Sequence, residues 1–248
     1  MMKYGQERIK PYDSARAKGE QVEAMFDNIA HSYDGLNHLL SLGIDRYWRN
    51  RALRYLKSKD TPTCRLLDIA TGTGDFAIQC AIQLPNTQIT ACDISDKMMD
   101  IGRKKAASQV LEHRISWERQ NAMDLTYSDS SFDLVTSAYG IRNFENLEQG
   151  LSEMYRVLKQ NGTIALLELA TPSHFPMKQL FWVYSHCWMP LVGRLLSHDT
   201  RAYKYLPQTM EAFPKEKEMK RILQGIGFSE IVFHRYTFGL CMLYLAKK

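Results

Sequence analysis

Apolar positions change their period twice along this chain. From Gln21 to about Leu56 they fall three and four apart: Val22, Met25, Phe26 and Ile29, then Tyr33, Leu36, Leu39 and Leu40, then Tyr47, Trp48, Leu53, Tyr55 and Leu56. Such spacing predicts amphipathic helices laid on a partner surface. A break over residues 41–45 reads as a connector, with Asp45 the expected N-cap of the helix after it. Beyond Pro62 the rhythm becomes strand, turn, helix. Strands are predicted over 65–70, 88–92, 115–119, 132–138 and 163–169, and helices over 76–84, 96–107 and 147–158, the last ending at Asn161-Gly162.

Strands alternating with helices of about ten residues mean βαβ units and a parallel sheet. A further helix over 215–227 leads to strands over 230–235 and 241–246. So close in sequence, these two can pair only antiparallel, at one edge of the sheet. The expected fold is therefore α/β: a doubly wound, mostly parallel seven-stranded sheet with an antiparallel C-terminal strand pair. It forms a single domain over 1–248, with an N-terminal helical cap at 20–58 and a helical insertion at 171–213. The insertion is rich in large apolar residues, among them Phe175, Phe181, Trp182, Tyr184, Trp188 and Met189. Residues 1–19 are polar and read as a loose lead-in.

Composition narrows the classes without choosing among them. With 45% hydrophobic and 24% charged residues, 248 residues can bury one large core. A net charge of +5 is too weak and unclustered to predict nucleic-acid binding, but it suits visits to an anionic membrane surface. Five cysteines with no CxxC signal neither a zinc ribbon nor a redox dithiol, so no metal is expected and a reducing, cytoplasmic setting is. No run of 18 apolar residues occurs, and the polar start lacks the apolar segment of a signal peptide.

Chemistry enters at Asp68-Ile69-Ala70-Thr71-Gly72-Thr73-Gly74-Asp75, directly after the first predicted strand. Glycines there let a ligand approach backbone that a Cβ would otherwise block. Alone they also satisfy the NAD fingerprint GxGxx(G/A). Asp93 ends the second strand, where a carboxylate can take both hydroxyls of a ribose, in NAD as in other adenosine cofactors. Asp68 separates the two readings: a carboxylate beside a pyrophosphate is unhelpful, whereas Asp68 and Asp75 suit the ammonium and sulfonium of S-adenosyl-L-methionine. Asn121-Ala122, after the third strand, can read an adenine edge, and 131–137 supplies the pocket floor. These elements stand at successive strand carboxyl ends, on one side of the sheet.

The same chain resembles the demethylmenaquinone and 2-polyprenyl-6-methoxy-benzoquinol C-methyltransferases of quinone biosynthesis. The resemblance runs through Phe26-Asp27-Asn28-Ile29-Ala30-His31-Ser32-Tyr33-Asp34, Trp48-Arg49, Asp68 to Asp75, Asn121-Ala122-Met123, Tyr139-Gly140-Ile141-Arg142-Asn143 and Tyr236-Thr237-Phe238-Gly239. It implies a Rossmann-like methyltransferase fold and cofactor contacts at Thr73, Asp93, Asn121 and Ala122, to which the loop's own chemistry adds Asp68, Thr71, Gly72 and Gly74. It also implies methylation of demethylmenaquinol at a ring carbon, with the benzoquinol as alternative substrate. Some members carry a serine just before the aromatic of the tyrosine-glycine motif. Here that position is Ala138, and Ser137 one residue earlier should face the other way.

Carbon methylation needs an electron-rich ring carbon, made so by ionising a ring hydroxyl. Arg142 is the candidate to stabilise the resulting phenolate, and Asn143 to bond the other ring oxygen. The alternative for Arg142 is a structural pairing with Asp27 or Asp34. Tyr33, Asp34, His198 and Asp199 are secondary candidates for handling the proton. In this reading the partner is a prenylated quinol, and the aromatic insertion, with Lys178, Arg194, Arg201 and Lys204, would line a groove or touch a membrane surface. The same apolar face could instead close a homodimer.

Overall fold

The computed structural model describes residues 3–12, 14–61, 63–188 and 200–248. Met189, Leu191, Arg194, Leu195, Leu196, His198 and Asp199, and the side chains of Leu36, Leu39, Leu40 and Trp188, lie outside the described part. A seven-stranded sheet carries the fold: β1 Arg65–Ile69, β2 Gln88–Asp93, β3 Ile115–Arg119, β4 Phe132–Ala138, β5 Leu158–Leu169, β6 Ser229–Tyr236 and β7 Cys241–Lys247. Their spatial order is β3-β2-β1-β4-β5-β7-β6. The first five are parallel, and β7 pairs antiparallel with both β5 and β6. The hairpin of the last two strands thus inserts its second strand against β5, leaving β6 on the edge.

Both faces of the central strands are buried, which explains why they read as continuous apolar runs. Alternate residues feed two cores. Leu67, Ile69, Val135, Ile164 and Leu166 pack with α6 (Leu147–Val157) and α9 (Glu216–Ile226). Leu66, Leu134, Ala165 and Leu167 pack with α3 (Ile44–Leu56) and α4 (Asp75–Gln83). The long α2 (Lys18–Ser41) forms a third, smaller cluster with α8 (Thr200–Ala212), through Val22, Met25, Ile29, Ala202 and Tyr205. α7 (Met177–Val183) runs on into a π-helical turn over Tyr184–Trp188.

Three local expectations are corrected. Asp45 is no N-cap: Gly43, in the left-handed region at φ 76°, precedes α3, and Asp45 lies inside it bonded to Arg49 at 2.6 Å. The helix of 147–158 stops at Val157 because the chain turns straight into β5. Asn161 (φ 61°) and Gly162 then sit at a register shift between β4 and β5 rather than at a helix end. The N-terminal segment is not loose. Within α1 (Gly5–Arg8) the buried Glu7 carboxylate accepts the Leu147 N–H at 2.9 Å, capping α6 from a distance of 140 residues. Buried Lys18 donates to the carbonyls of Gln6 (2.6 Å) and Phe144 (3.2 Å), and burial pulls its ammonium down to about 8.

One contact fixes where the glycine loop stands. The Trp117 ring of β3 lies against Gly74 of the loop and Gly102 of α5 (Asp96–Ala107). A Cβ at Gly102 would meet the indole at 2.4 Å and the Thr73 carbonyl at 3.1 Å. Alanine in a helix normally gains up to about 1 kcal/mol over glycine. Here Gly102→Ala should instead lose roughly 1–3 kcal/mol, as overpacking does. Urea unfolding checks the sign; a higher midpoint would show the ring free to move.

Candidate active site

β1 and β4 are neighbours whose following helices depart toward opposite ends of the sheet, so their carboxyl ends open a crevice. The two loops that part there are both bent through the left-handed region, at Ala70 (φ 54°) and Tyr139 (φ 63°). Gly140 admits the Ala70 methyl so closely that a Cβ would stand 2.5 Å from it. Between the loops lies one cavity of about 930 Å³. That is near the top of the usual range of about 300–1,000 Å³ for small-molecule sites, enough for two ligands side by side.

One half of the cavity is polar and built on the loop after β1. Asp68 is 1% exposed, and its two oxygens accept from Thr71 (2.6 Å) and Thr136 (2.7 Å). Burial raises its carboxyl to about 6, although both hydroxyls favour the ionised form. Asp93 accepts the Gly72 N–H at 2.8 Å and the Ser95 N–H at 3.0 Å, and burial likewise raises it. Asn121 turns the chain after β3 by accepting the Met123 N–H at 3.0 Å. Asp68, Thr71, Gly72, Thr73, Asp93, Asn121 and Ala122 all line the cavity. Gly74 does not; it caps α4 against Trp117. Asp75 lines it too, but Lys105 (2.5 Å) and Arg49 (3.2 Å) already neutralise its charge.

The other half is apolar with a buried polar floor. Ile141–Asn143 forms a single 3₁₀ turn after β4. Its Arg142 pairs with neither Asp27 nor Asp34 but with Glu168, at 2.7 Å, in a site where Glu168 is 1% exposed. Glu168 also accepts the backbone N–H of Arg142 (3.0 Å), and the same guanidinium donates to the Tyr139 carbonyl. Burial lowers the guanidinium pKa, but the Glu168 carboxylate foremost outweighs it, the net shift is upward, and Arg142 stays cationic. Two buried polar atoms of this turn have no partner among the described residues: Arg142 Nε and Asn143 Oδ1. Around them stand Phe26, Tyr33, Leu169, Met177, Phe181, Tyr184 and Leu206. Ser137 is buried and outside the cavity, while Ala138 lines it, as their alternation requires.

Helix α2 roofs both halves. Asp34 accepts from Thr73 (2.6 Å) and Lys105 (2.8 Å), Asp27 from Ser95 (2.6 Å), and Glu23 from Arg119 (2.7 Å). Asp34 is thereby a fastener of the roof to the glycine loop. Reading the sequence brought together the loop, Asp93, Asn121-Ala122 and Arg142-Asn143. It missed Glu168, Lys105 and Trp117. Glu168 did leave a signal, a lone carboxylate in the apolar run of 163–169, because a buried charge demands a partner.

With this geometry in place, the relatives are informative. A demethylmenaquinone methyltransferase of Bacteroides fragilis is 52% identical over 247 residues, covering 100% of both chains. A ubiquinone/menaquinone biosynthesis C-methyltransferase of Geotalea daltonii is 41% identical, covering 93% of this chain and 97% of its own. In fold, a SAM dependent methyltransferase from Aquifex aeolicus superposes with a TM-score of 0.57 at 14% identity, over 80% of this chain and 88% of its own. Residues 14–248 match the ubiE/COQ5 methyltransferase family, and the chain belongs to it.

Proposed function

We propose that this enzyme moves a methyl group from S-adenosyl-L-methionine to a ring carbon of demethylmenaquinol, giving menaquinol. The observation that carries the reading is the pair of buried atoms without a partner among the described residues, Arg142 Nε and Asn143 Oδ1, on a turn that lines the apolar half of a cavity whose other half is lined with carboxylates. An apolar ring with two polar oxygens fits the first half. A nucleoside with a cationic amino acid head fits the second. Asp93 suits the ribose hydroxyls, Asn121 and Ala122 the adenine edge, and the Thr71-Gly72-Thr73 backbone with Asp68 the methionyl ammonium. When bound, the cofactor supplies an electrophilic methyl group on a sulfonium.

The protein's own residues do the rest. Loss of the proton from one ring hydroxyl makes the adjacent ring carbon nucleophilic, and that proton leaves to solvent. Arg142, held in register by Glu168, stabilises the phenolate without itself acting as a base. Asn143 fixes the opposite oxygen. The roof of α2 and the apolar walls exclude water, so alignment and desolvation supply most of the rate. The methylated carbon finally gives up its hydrogen as a second proton while a hydroxyl proton returns, a net release of one proton per turnover.

Feeding demethylmenaquinol and 2-polyprenyl-6-methoxy-benzoquinol with methyl-labelled cofactor tests the function. Label should enter the naphthoquinol ring, faster than the benzoquinol ring; label in neither overturns the reading. Arg142→Lys keeps a cation for Glu168 but loses the planar fork. Its kcat should drop about a hundredfold, the loss typical of a misplaced stabilising donor, with cofactor affinity within twofold of wild type.

Asp68 sets a pH dependence. The raised pKa means the free site holds a proton on Asp68 below about pH 6. An incoming ammonium favours the ionised carboxylate, so binding below that pH must expel the proton. Calorimetric affinity for the cofactor should be flat above pH 7 and fall about tenfold per unit below 6. Asp68→Asn should bind more weakly and lose the break; a wild-type profile without one removes Asp68 from the ammonium site.

The finer setting is a membrane surface. Among the described residues no helix is long and apolar enough to cross a membrane. Leu42 and Leu180 both line the cavity and are exposed, so the cavity mouth is apolar. Phe175 and Val183 are exposed on the segment of Leu180, Phe238 is exposed in the turn between the last two strands, and Lys178 and Lys204 are exposed in the insertion. A prenyl tail leaving such a mouth would meet lipid, with basic residues at the headgroups. In flotation assays the protein should rise with liposomes containing anionic lipid; failure to float with any composition refutes docking.

A further inference from the structure

Another cavity-lining residue with a buried, unpartnered polar atom belongs to neither motif that frames the ring site. Tyr205 stands in the middle of α8, in the helical insertion, and is 4% exposed. Its side chain lines the cavity, and its hydroxyl has no hydrogen-bond partner among the described residues. α8 lies directly against the 141–143 turn, and Tyr205 is close enough to Arg142 and Glu168 for both charges to act on its phenol. Tyr33 feels the same guanidinium, but its hydroxyl bonds to Asn37. Tyr205 alone of the two has its O–H to spare.

A buried hydroxyl left unpaired is costly, and native proteins rarely keep one without a reason. Packing does not explain this one, because a phenylalanine would fill the same space against Val22, Met25 and Ile29 of α2. The geometry points to Tyr205 as a ligand of the reacting ring: its O–H donates to the ring oxygen that ionises, opposite the Arg142 Nε–H. The assignment rests on the quinol reading and adds the third contact to it. Two donors, Arg142 Nε and Tyr205 Oη, then meet the phenolate, while Asn143 meets the neutral oxygen across the ring.

Tyr205 serves as donor and not as base. Burial drives its phenol well above the ordinary value, and Arg142 pulls it back only in part, so the hydroxyl keeps its proton at neutral pH. A protonated phenol beside a guanidinium makes a site selective for the ionised ring. It also ties the insertion to the chemistry: α8 reaches the ring only when it is docked on α2, so roof and donor are set by the same packing.

Tyr205→Phe isolates the hydroxyl. Turnover of demethylmenaquinol should fall about 10- to 100-fold, the range for a hydrogen bond to a charged group. Affinity for S-adenosylhomocysteine by calorimetry should stay within twofold. Because the hydroxyl is unpartnered in the free protein, the melting temperature should be unchanged or higher; a hydroxyl retained for folding would lower it, and that result overturns the assignment. A second readout needs no methyl transfer. 1-Naphthol, bound in the presence of S-adenosylhomocysteine, should show the naphtholate absorption band at a lower pH than in water, and Tyr205→Phe should move that band about one pH unit upward. Equal turnover and an equal naphtholate band in wild type and variant overturn the Tyr205 assignment while leaving the quinol reading intact. A wild-type protein that methylates no quinol and binds no naphthol overturns both.

Discussion

The ion pair of Arg142 and Glu168 is the contact on which the site's other parts converge. Taking two charges out of water costs several kcal/mol per ion, and only close, multiply bonded geometry offsets it (about 332/εr in Coulomb terms). The protein meets that condition by giving Glu168 three donors: the Arg142 guanidinium, the Arg142 N–H and the Leu169 N–H. Because one donor is the backbone of the turn itself, the carboxylate fixes the 3₁₀ turn and not merely a side chain. β5 thereby dictates the position of the loop after β4. Apolar residues of similar volume could pack there as stably, so the pair is better understood as a means of fixing the guanidinium and its turn at the cavity wall.

Everything above the sheet closes over that turn. The N-terminal segment holds its far end, through Lys18 to the Phe144 carbonyl and Glu7 to the first amide of α6. α2 spans from the turn to the glycine loop, where Asp34, Thr73, Lys105, Asp75 and Arg49 form one connected set of charges and hydroxyls. Thr73 and Arg49 are buried, but Lys105, Asp34 and Asp75 are a quarter to a third exposed, unlike the buried pair below, so water and salt compete for their ion pairs. A roof fastened by partly wet ion pairs can open at modest cost, whereas the floor cannot. Ligands as large as a nucleoside and a prenylated ring require that difference.

Much of this was legible in the sequence, for reasons that differ by part. Strands buried on both faces leave apolar runs, so β1, β2 and β4 stood out with nearly their observed ends, while the edge strand β3, mixed in pattern, was placed by the strand–helix rhythm. Loop chemistry showed because glycines and carboxylates recur together at successive strand ends, although each alone could serve a turn or a helix cap. What stayed hidden was long-range. Nothing near Glu7 says that it caps a helix beginning at Leu147. Nothing near Lys105 says that it faces Asp34. Asp45 looked like a cap because local propensity favours aspartate there, but Arg49 one turn on claimed its carboxylate. Asn161-Gly162 signalled a left-handed turn correctly, and only the element containing it was misjudged.

The division of the cavity also explains how one fold serves unlike chemistries. An Aquifex methyltransferase at 14% identity shares the fold, and a shared fold alone specifies no reaction. Half of the cavity here is made by the strand ends and the glycine loop, which any protein of this topology can supply. The other half comes from α2, the 141–143 turn and the helical insertion, which are additions to the sheet. Substrate choice is therefore lodged in segments that can change without disturbing β1 to β5. Among the buried polar atoms without a partner in the described residues, Arg142 Nε, Asn143 Oδ1 and Tyr205 Oη belong to residues of that second half, where a ring with two oxygens would complete them. Unpaired groups of this kind discriminate strongly, because a ligand lacking the matching oxygen leaves them buried and unsatisfied at a cost of about 1–3 kcal/mol each.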